Sequence, residues 1–292
     1  MSGAAMIGHL LLEKLVRREQ PRIPESEPVM QQQDQVAAFA AGGRDQGILA
    51  YIYLFHAIMA LPLIRPGDTV LDLACGPANQ LAQMAQLNPD AHFIGIDASP
   101  SMLELARGTL ANAGLSNVTL QPGDITRLTG FADAAVDCVI CTMSLHHLPD
   151  TTALAATLRT IDRILKPGGG AYLADFGRLR RAATQRFFAY DRQELQSLQF
   201  TQDFLNSMRA AFSPAEFRAA LATIERPIDY GATALAPFMM ICRSPARRGI
   251  DAVTTQRAQR AYAGLTAGQQ RDFNNFTRWF RAGGLELPCP VR

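Results

Sequence analysis

One stretch of the chain, residues 68–80, limits the possible folds more than any other. The apolar run at 69–73 has the length and the flanking residues of a buried parallel strand. It ends in the small, turn-prone residues 74–78, after which a helical pattern begins. The stretch therefore predicts a strand, a tight turn and the start of a helix.

A second apolar run, residues 91–96, follows the turn and ends in Asp97. Parallel α/β folds use this spacing of a small-residue turn and a carboxylate to hold a cofactor that contains adenosine. The turn lets the cofactor approach the backbone, and the carboxylate accepts hydrogen bonds from the ribose hydroxyls. We therefore expect a cofactor of this kind.

Strand-like runs and helical patterns alternate over the middle of the chain, which predicts an α/β fold with a doubly wound, mostly parallel sheet. Two later runs suit an antiparallel hairpin at the sheet edge, so that the sheet has seven strands and an antiparallel last strand. The predicted strands are 69–73, 92–96, 118–121, 136–142, 171–175, 227–230 and 237–243, and the helices among them are 79–87, 100–113 and 152–164.

Further helical patterns flank and interrupt this core, and they predict a lid and a C-terminal extension. We divide the chain into an N-terminal arm and lid (1–44), an α/β domain (45–245) with a helical insert (178–224), and a C-terminal helical extension (246–292). A Gln run occupies 31–33, and the predicted helices are 7–18, 35–61, 180–198, 201–211, 213–224, 251–265 and 269–281.

The composition argues against a nucleic-acid or membrane partner. The 292 residues carry a net charge of +2, so no strong field surrounds the molecule. The arginine-rich segment from Arg243 onwards invites an RNA contact, but a solvated helical face is the favoured interpretation. The longest apolar run, 48–64, falls short of the ~20 residues of a membrane span. The N-terminus has no signal peptide pattern, and the five scattered cysteines indicate reduced thiols. We therefore expect a cytoplasmic protein.

Four segments together resemble a class I S-adenosylmethionine-dependent methyltransferase of the small-molecule, type 11-like kind, over about residues 45–243. They are the first turn at 70–78, the strand end and helix start at 95–103, the Gly-Asp-Ile run at 123–125, and the Ser-Leu-His-His-Leu-Pro-Asp run at 144–150 with 163–170 after it. All four stand in the family's order at predicted strand ends. The resemblance implies a Rossmann-like fold and methyl transfer from S-adenosylmethionine to a small-molecule acceptor.

The resemblance also implies which residues hold the cofactor and what each one contacts. The implied residues are Asp72, Ala74, Cys75 and Gly76 for the methionine part, Asp97 and Ala98 for the ribose, Met102, Gly123, Asp124 and Ile125 for the adenine, and Thr142, Met143 and Ser144 beside the sulfonium.

One departure from the family's pattern lies in the first turn. The family usually has three glycines there, whereas this chain keeps Gly76 but has Ala74 and Ala78. Since alanine carries a side chain that glycine lacks, we expect the backbone to approach the cofactor slightly less closely.

Methyl transfer from a sulfonium is an in-line displacement, so the enzyme must mainly position the acceptor and exclude water. A base is needed only where the acceptor has to lose a proton. Candidates are His146 and His147, just after the fourth strand, and Tyr51, Tyr53 or His56 from the preceding helix, whose aromatic residues are otherwise core. Residues of the insert, with the Tyr51 helix, are expected to wall the acceptor pocket. They are Phe187, Phe188, Tyr190, Phe200, Phe204, Met208 and Phe212.

Two other functions stay open at this point. A nicotinamide-dependent oxidoreductase also binds adenosine, although the first turn lacks the Gly-x-Gly-x-x-Gly pattern. A protein that binds S-adenosylmethionine without transferring its methyl group would share the whole pattern. We expect no bound metal. The sequence does not indicate the acceptor atom or the oligomeric state.

Overall fold

The structure is a computed structural model of the chain, and it describes residues 3–27, 29–30, 33–43 and 47–291. Residues 31 and 32 of the Gln run at 31–33 and part of the predicted helix 35–61 lie outside these residues. Of residues 3, 33 and 34 only the backbone is described.

A single sheet organises the described residues, and its seven strands run in the order β3-β2-β1-β4-β5-β7-β6. Strands β1 to β5 are parallel, and β7 pairs antiparallel with both β5 and β6. The predicted fold class is confirmed. The strands are β1 (Thr69–Leu73), β2 (His92–Asp97), β3 (Val118–Pro122), β4 (Val136–Thr142), β5 (Leu165–Phe176), β6 (Asp229–Ala232) and β7 (Met239–Arg243).

The central strands form because apolar residues are buried on both of their faces, as in parallel sheets generally. Within β4, Cys138 packs into the core on one face of the sheet and Cys141 into the core on the other. Side chains three apart on a strand point to opposite faces, so these two thiols do not meet. β5 begins six residues before the predicted strand 171–175, because Leu165 already pairs with Val136 across a register shift.

Helices cover both faces of the sheet. One face packs against α3, α4, α5, α10 and α11, and the other packs against α6 and α9. The helices in the described residues are α1 (Gly3–Leu15), α2 (Gln33–Gly43), α3 (Ala50–Ala60), α4 (Asn79–Leu87), α5 (Pro100–Asn112), α6 (Thr151–Ile164), α7 (Ala182–Tyr190), α8 (Leu198–Ala210), α9 (Pro214–Leu221), α10 (Ala252–Ala263) and α11 (Ala267–Ala282).

Side-chain caps fix several helix starts as the sequence indicates. The Asp150 carboxylate accepts the backbone N–H of Ala153 at the start of α6. Ser213 and Glu216 form a reciprocal capping box at the start of α9.

The predicted helix 180–198 is wrong. The chain leaves α7 at Tyr190, and Arg192 takes a left-handed conformation with φ of 68° before α8 begins at Leu198. The Arg192 guanidinium forms a bidentate ion pair with Asp272 on α11. This contact between distant segments breaks a stretch that local helical periodicity would continue.

The predicted helix 35–61 is interrupted as well, because residues 47–49 between α2 and α3 form a turn. α3 lies in the core, where Phe55 packs against Phe273, Phe276 and Phe280 of α11. The aromatic residues of α3 are therefore mainly core, and they join the C-terminal extension to the α/β domain. No helix in the described part of the chain is long and apolar enough to cross a membrane.

Candidate active site

A cavity of about 550 Å³ lies over the carboxyl ends of β1, β2, β4 and β5. Ligands of open α/β sheets bind at this edge, near the point where the strand order reverses. Most of the predicted site residues meet on its wall. They are Tyr51, Ala74, Gly76, Asp97, Ala98, Met102, Asp124, Ile125, Met143, Ser144, His146 and His147.

The turn after β1 retains the backbone shape that the family builds with glycine. Ala74, Gly76 and Ala78 have φ angles of 54°, 53° and 61°, all in the left-handed region. A left-handed conformation costs roughly 1–2 kcal/mol for a residue with a side chain. Both alanines keep the turn at this cost, and Ala74 and Gly76 line the cavity.

Asp97 ends β2 and fixes the turn. One carboxylate oxygen accepts the N–H of Gly76 at 2.8 Å, and the other accepts the N–H of Ser99 at 2.8 Å. Burial raises the pKa of Asp97, and these backbone hydrogen bonds act in the opposite direction. Because each oxygen has a second lone pair, the carboxylate retains acceptor capacity for a ligand.

Asp72 lies in β1 just before the turn and is almost fully buried. Within the described chain, no donor makes a hydrogen bond to its carboxyl group. Burial, together with the charge of Asp97, raises the pKa of Asp72 to about 8. A buried carboxyl group without a partner favours a cationic ligand beside it.

The far end of the same edge is formed by residues after β3. Asp124 Oδ1 accepts the N–H and the hydroxyl of Thr126 at 2.8 and 2.7 Å. The other oxygen, Oδ2, has only a weak ion pair with Arg127 at 3.8 Å and stays open to a ligand. Met102 is buried where α5 faces the cavity. These residues can hold a flat, polar-edged group such as adenine.

Four predicted residues do not line the cavity, namely Asp72, Cys75, Gly123 and Thr142. Gly123 supports Asp97, since its N–H donates to the Asp97 carbonyl at 3.1 Å. The Thr142 backbone carbonyl accepts a hydrogen bond from the Ser144 hydroxyl at 2.9 Å. Met143, between them, has a left-handed φ of 52° on the cavity wall.

His146 lies in the short turn after β4, and its side chain is almost completely buried. Its Nδ1–H donates to the Asp175 carboxylate at 2.7 Å, and the other Asp175 oxygen accepts the His146 backbone N–H at 2.8 Å. No hydrogen-bond partner from the described residues reaches Nε2. Burial alone would lower the imidazole pKa, but the charge and the hydrogen bond of Asp175 outweigh burial and raise the pKa.

His147 pairs with a different carboxylate, and this one comes from the N-terminal arm. Its Nδ1 lies 2.6 Å from Glu25, an ion-pair distance, although the ring nitrogen is not aligned as in an ideal hydrogen bond. One atom each of Glu25, His146 and His147 could bind a metal ion, and these three atoms lie within 4.8 Å of one another. The expected absence of a metal stays a prediction.

Aromatic side chains from several elements form the rest of the wall. Of the insert residues expected there, Phe188, Phe200 and Phe204 line the cavity, whereas Phe187, Tyr190, Met208 and Phe212 do not. Sequence periodicity missed the contributions of β5, the β7 approach and α11, because it does not show which residues face a shared cavity. The wall residues that were missed are Phe176, Phe238, Phe276 and Trp279.

The structure separates the base candidates of α3. Tyr51 lines the cavity, and burial raises its pKa. Tyr53 and His56 lie elsewhere in the core. His56 Nδ1 contacts the Tyr172 hydroxyl at 2.7 Å, and burial lowers the His56 pKa to about 3. Because His56 does not line the cavity, it is not placed to act as a base there.

Two residues beside the histidines, Asp175 and Glu25, were not predicted. Asp175 ends β5, the neighbour of β4, and the rule that parallel strands meet at one edge could have found it. Glu25 lies in a proline-rich segment of the arm, where no local pattern indicates a contact with the site.

Comparison with known proteins identifies the class. A family model described as a methyltransferase domain matches residues 64–215, more than half of the chain. The chain therefore belongs to this methyltransferase family. A demethylmenaquinone methyltransferase of Listeria monocytogenes is 37% identical over 112 residues, which are 38% of this chain and 46% of that protein. The chain thus spans less than half the length of this curated relative.

Solved structures support the same fold. A SAM-dependent methyltransferase from Aquifex aeolicus is similar with a TM-score of 0.53 and 16% identity, over 75% of this chain and 99% of that one. An O-methyltransferase family 2 protein from Planctomyces limnophilus, in complex with apigenin, is similar with a TM-score of 0.51 and 18% identity, over 73% and 62% of the two chains.

The family match gives the class, a methyltransferase domain, and the site suits S-adenosylmethionine as the cofactor. The left-handed turn and the free lone pairs of Asp97, both on the cavity wall, fit a ligand that approaches the backbone closely and carries a ribose. The interpretation as a nicotinamide-dependent oxidoreductase is excluded by membership of this family.

Proposed function

We propose that this enzyme methylates a small aromatic acceptor with an ionisable hydroxyl group, and that His146 removes the hydroxyl proton. One observation carries the proposal. His146 is buried on the cavity wall with Nδ1 held by Asp175, while Nε2 has no partner among the described residues. A histidine oriented by a carboxylate, with its second nitrogen free, is the usual arrangement of a general base.

The cofactor supplies an electrophilic methyl group when it is bound. For the chain's own residues, we propose that Asp72 and the turn with Ala74, Cys75 and Gly76 hold the methionine part, and that Asp97 with Ala98 holds the ribose. Met102, Gly123, Asp124 and Ile125 would hold the adenine, and Thr142, Met143 and Ser144 would lie beside the reacting centre. The free lone pairs of Asp97 and Asp124 support these roles.

Asp175 has two tasks in this mechanism. Its hydrogen bond keeps the proton on Nδ1, so that Nε2 carries the lone pair that accepts a proton. Its negative charge stabilises the imidazolium that forms when His146 takes the proton. Because the Asp175 carboxylate also binds the backbone N–H groups of His146 and Phe176, it holds the base in place against β5.

An aromatic acceptor suits the wall opposite the cofactor residues. Phe188, Phe238 and Trp279 form one aromatic cluster. Trp279 stacks on Phe238 with ring centroids 5.4 Å apart, and Phe188 lies tilted against Phe238 at 4.5 Å. Such surfaces bind flat rings through area burial and ring stacking. The name of one relative, a demethylmenaquinone methyltransferase, supports the same class, because its named substrate is a quinone.

Tyr51 and His147 have supporting roles in this proposal. The Tyr51 hydroxyl keeps its proton because burial raises its pKa, so it donates to a ligand and does not act as a base. His147 stays paired with Glu25 of the arm. The mechanism therefore depends on one base.

We also propose the division of the chain into arm (1–44), methyltransferase domain (45–245) and extension (246–292). The family match at 64–215 falls inside the middle segment. Met6 and Met30 of the arm line the cavity, and so do Phe276 and Trp279 of the extension. Both outer segments thus complete the acceptor pocket, as a lid and a wall.

A labelled-methyl assay tests this proposal. Purified protein is incubated with methyl-labelled S-adenosylmethionine and a panel of phenols, hydroquinones, aryl amines and non-aromatic alcohols, and products are identified by mass spectrometry. We expect label in hydroxyl-bearing aromatic compounds, either on oxygen or on a ring carbon activated by the ionised hydroxyl. Transfer confined to amines or alcohols would contradict the acceptor class, and tight cofactor binding without transfer to any acceptor would favour a non-methylating binder.

Replacing Asp72→Asn tests the cofactor site separately. The raised pKa of Asp72 means that the folded protein retains a proton that the unfolded chain loses, so stability falls as the pH rises from about 4 to about 8. The variant should lack this fall, and should bind S-adenosylmethionine about tenfold to a hundredfold more weakly. Chemical denaturation across pH and calorimetry measure the two effects. Unchanged affinity would remove Asp72 from the cofactor site.

A further inference from the structure

We infer that Arg22, in the N-terminal arm, is a positioning residue that holds the His146 turn in its catalytic form. This inference rests on the proposed base role of His146. It concerns a residue outside the domain that the family model matches, which begins at residue 64. The support comes from the contacts of one guanidinium group.

Arg22 donates to backbone carbonyls of the turn that carries His146. Nη2 donates to the His146 and Leu148 carbonyls, at 2.8 and 2.5 Å, and Nη1 donates to the Pro149 carbonyl at 2.5 Å. His146 lies in a short 3₁₀ turn, and Leu148 and Pro149 follow it. The carbonyls at the end of such a turn have no partner within the turn. The His146 backbone is therefore held by Asp175 through its N–H and by Arg22 through its carbonyl.

The same guanidinium also fixes the end of α8. Nε donates to the Ala210 carbonyl at 2.6 Å, and the group lies over the Phe212 ring at 4.0 Å. A cation at a helix C-terminus is favourable. No other side chain offers five N–H donors in a planar fork, so lysine cannot reproduce this set of contacts. Arg22 thus joins the arm, the insert and the base turn at one point.

Arg22 also acts on the base through its charge. Asp175 of β5 and Glu25 of the arm raise the pKa of His146, and Arg22 lowers it. His147 is the remaining titratable group beside it, with its ring 4.2 Å away. A general base works only when it is neutral, so loss of Arg22 should move the acid limb of the rate profile to higher pH.

Three variants of the full-length enzyme test the inference. Arg22→Ala should lower kcat by about a hundredfold through misplacement of the base, with the KM for S-adenosylmethionine nearly unchanged. Its acid limb should move to higher pH. Arg22→Lys should keep the wild-type acid limb, because the charge remains, but should lose much of kcat, because the fork is gone. Free guanidinium at low concentration should restore part of the rate of Arg22→Ala and none of that of His146→Gln.

Glu13→Gln is the matched control. Glu13 anchors the arm elsewhere, by accepting the N–H groups of Arg180 and Arg181 at 2.7 and 3.0 Å. Loosening the arm at Glu13 should leave the pH profile unchanged. Wild-type kcat and pH profile in Arg22→Ala would overturn the inference, and so would an equal loss in Glu13→Gln. If Arg22→Ala does not fold, Arg22→Lys decides. A full rate in His146→Gln would instead refute the base itself.

Discussion

His146 and His147 are neighbours in the sequence, and each pairs with a carboxylate, but the two pairs differ in origin. His146 and Asp175 both belong to the α/β domain and are almost completely buried. His147 pairs with Glu25 of the arm, and both side chains are partly exposed to solvent. The first pair is built into the end of the sheet, whereas the second pair joins a separate segment to it.

This difference assigns different tasks to two residues that the sequence could not tell apart. The buried pair is fixed on both sides by backbone hydrogen bonds, which is what a base at a reacting centre requires. The partly exposed pair gives the arm a reversible attachment beside the cavity. Catalysis should therefore depend strongly on the first pair and weakly on the second.

The largest expected effect follows from His146→Gln. Glutamine has about the right size but cannot accept the acceptor's proton, so turnover with a hydroxyl-bearing substrate should fall by about 10²–10⁴-fold. The Kd for S-adenosylmethionine should stay within about twofold of the wild type, since His146 is not a cofactor residue. Steady-state kinetics and calorimetry measure these effects. Wild-type turnover would exclude His146 as the base.

Asp175→Asn should give the next largest effect. Without the carboxylate charge, burial should dominate and lower the His146 pKa, so the acid limb of kcat/KM should move to lower pH. Turnover at the plateau should fall by about a hundredfold or more, because the imidazolium loses its counter-charge. A rate profile over pH is the measurement. A shift of the limb to higher pH would contradict this account of the pair.

Glu25→Gln should have the smallest effect. Burial alone would raise the pKa of Glu25, but His147 outweighs burial and lowers it. The pair therefore stabilises the arm at any pH above the ordinary glutamate pKa. This stabilisation is lost as the pH falls through the lowered pKa. The variant should lose about 0.5–1 kcal/mol of arm stability at neutral pH and less than tenfold in turnover. Hydrogen exchange of residues 3–27 monitors the arm, with His147→Gln as the matched partner variant. A loss of turnover as large as that of His146→Gln would erase the distinction between the pairs.

Local signals predicted the sheet well because strand length, apolar content and glycine turns are properties of short segments. β1 and β4 match their predicted ranges. The same signals failed at 180–198, where a contact between Arg192 and Asp272 breaks the helix. Local periodicity contains no information about a partner 80 residues away.

The candidate site likewise has one part that local signals locate and one part that they miss. Its proposed cofactor half follows one strand end after another, so Asp97 and the turn after β1 could be located from spacing, and the family resemblance implies Asp124. The acceptor half is assembled from the arm, the insert and the extension, and Trp279 or Glu25 reaches it only through packing. The left-handed Ala74 and Ala78 show that the family's turn survives without two of its glycines.

The most direct test of the central claim compares wild type and His146→Gln over a series of aromatic acceptors whose hydroxyl pKa falls from about 10 to below the assay pH. A base matters only while the acceptor still holds its proton. The ratio of kcat/KM between wild type and variant should therefore shrink from about 10²–10⁴ towards one as the acceptor pKa falls. A ratio that stays constant across the series would contradict proton removal by His146.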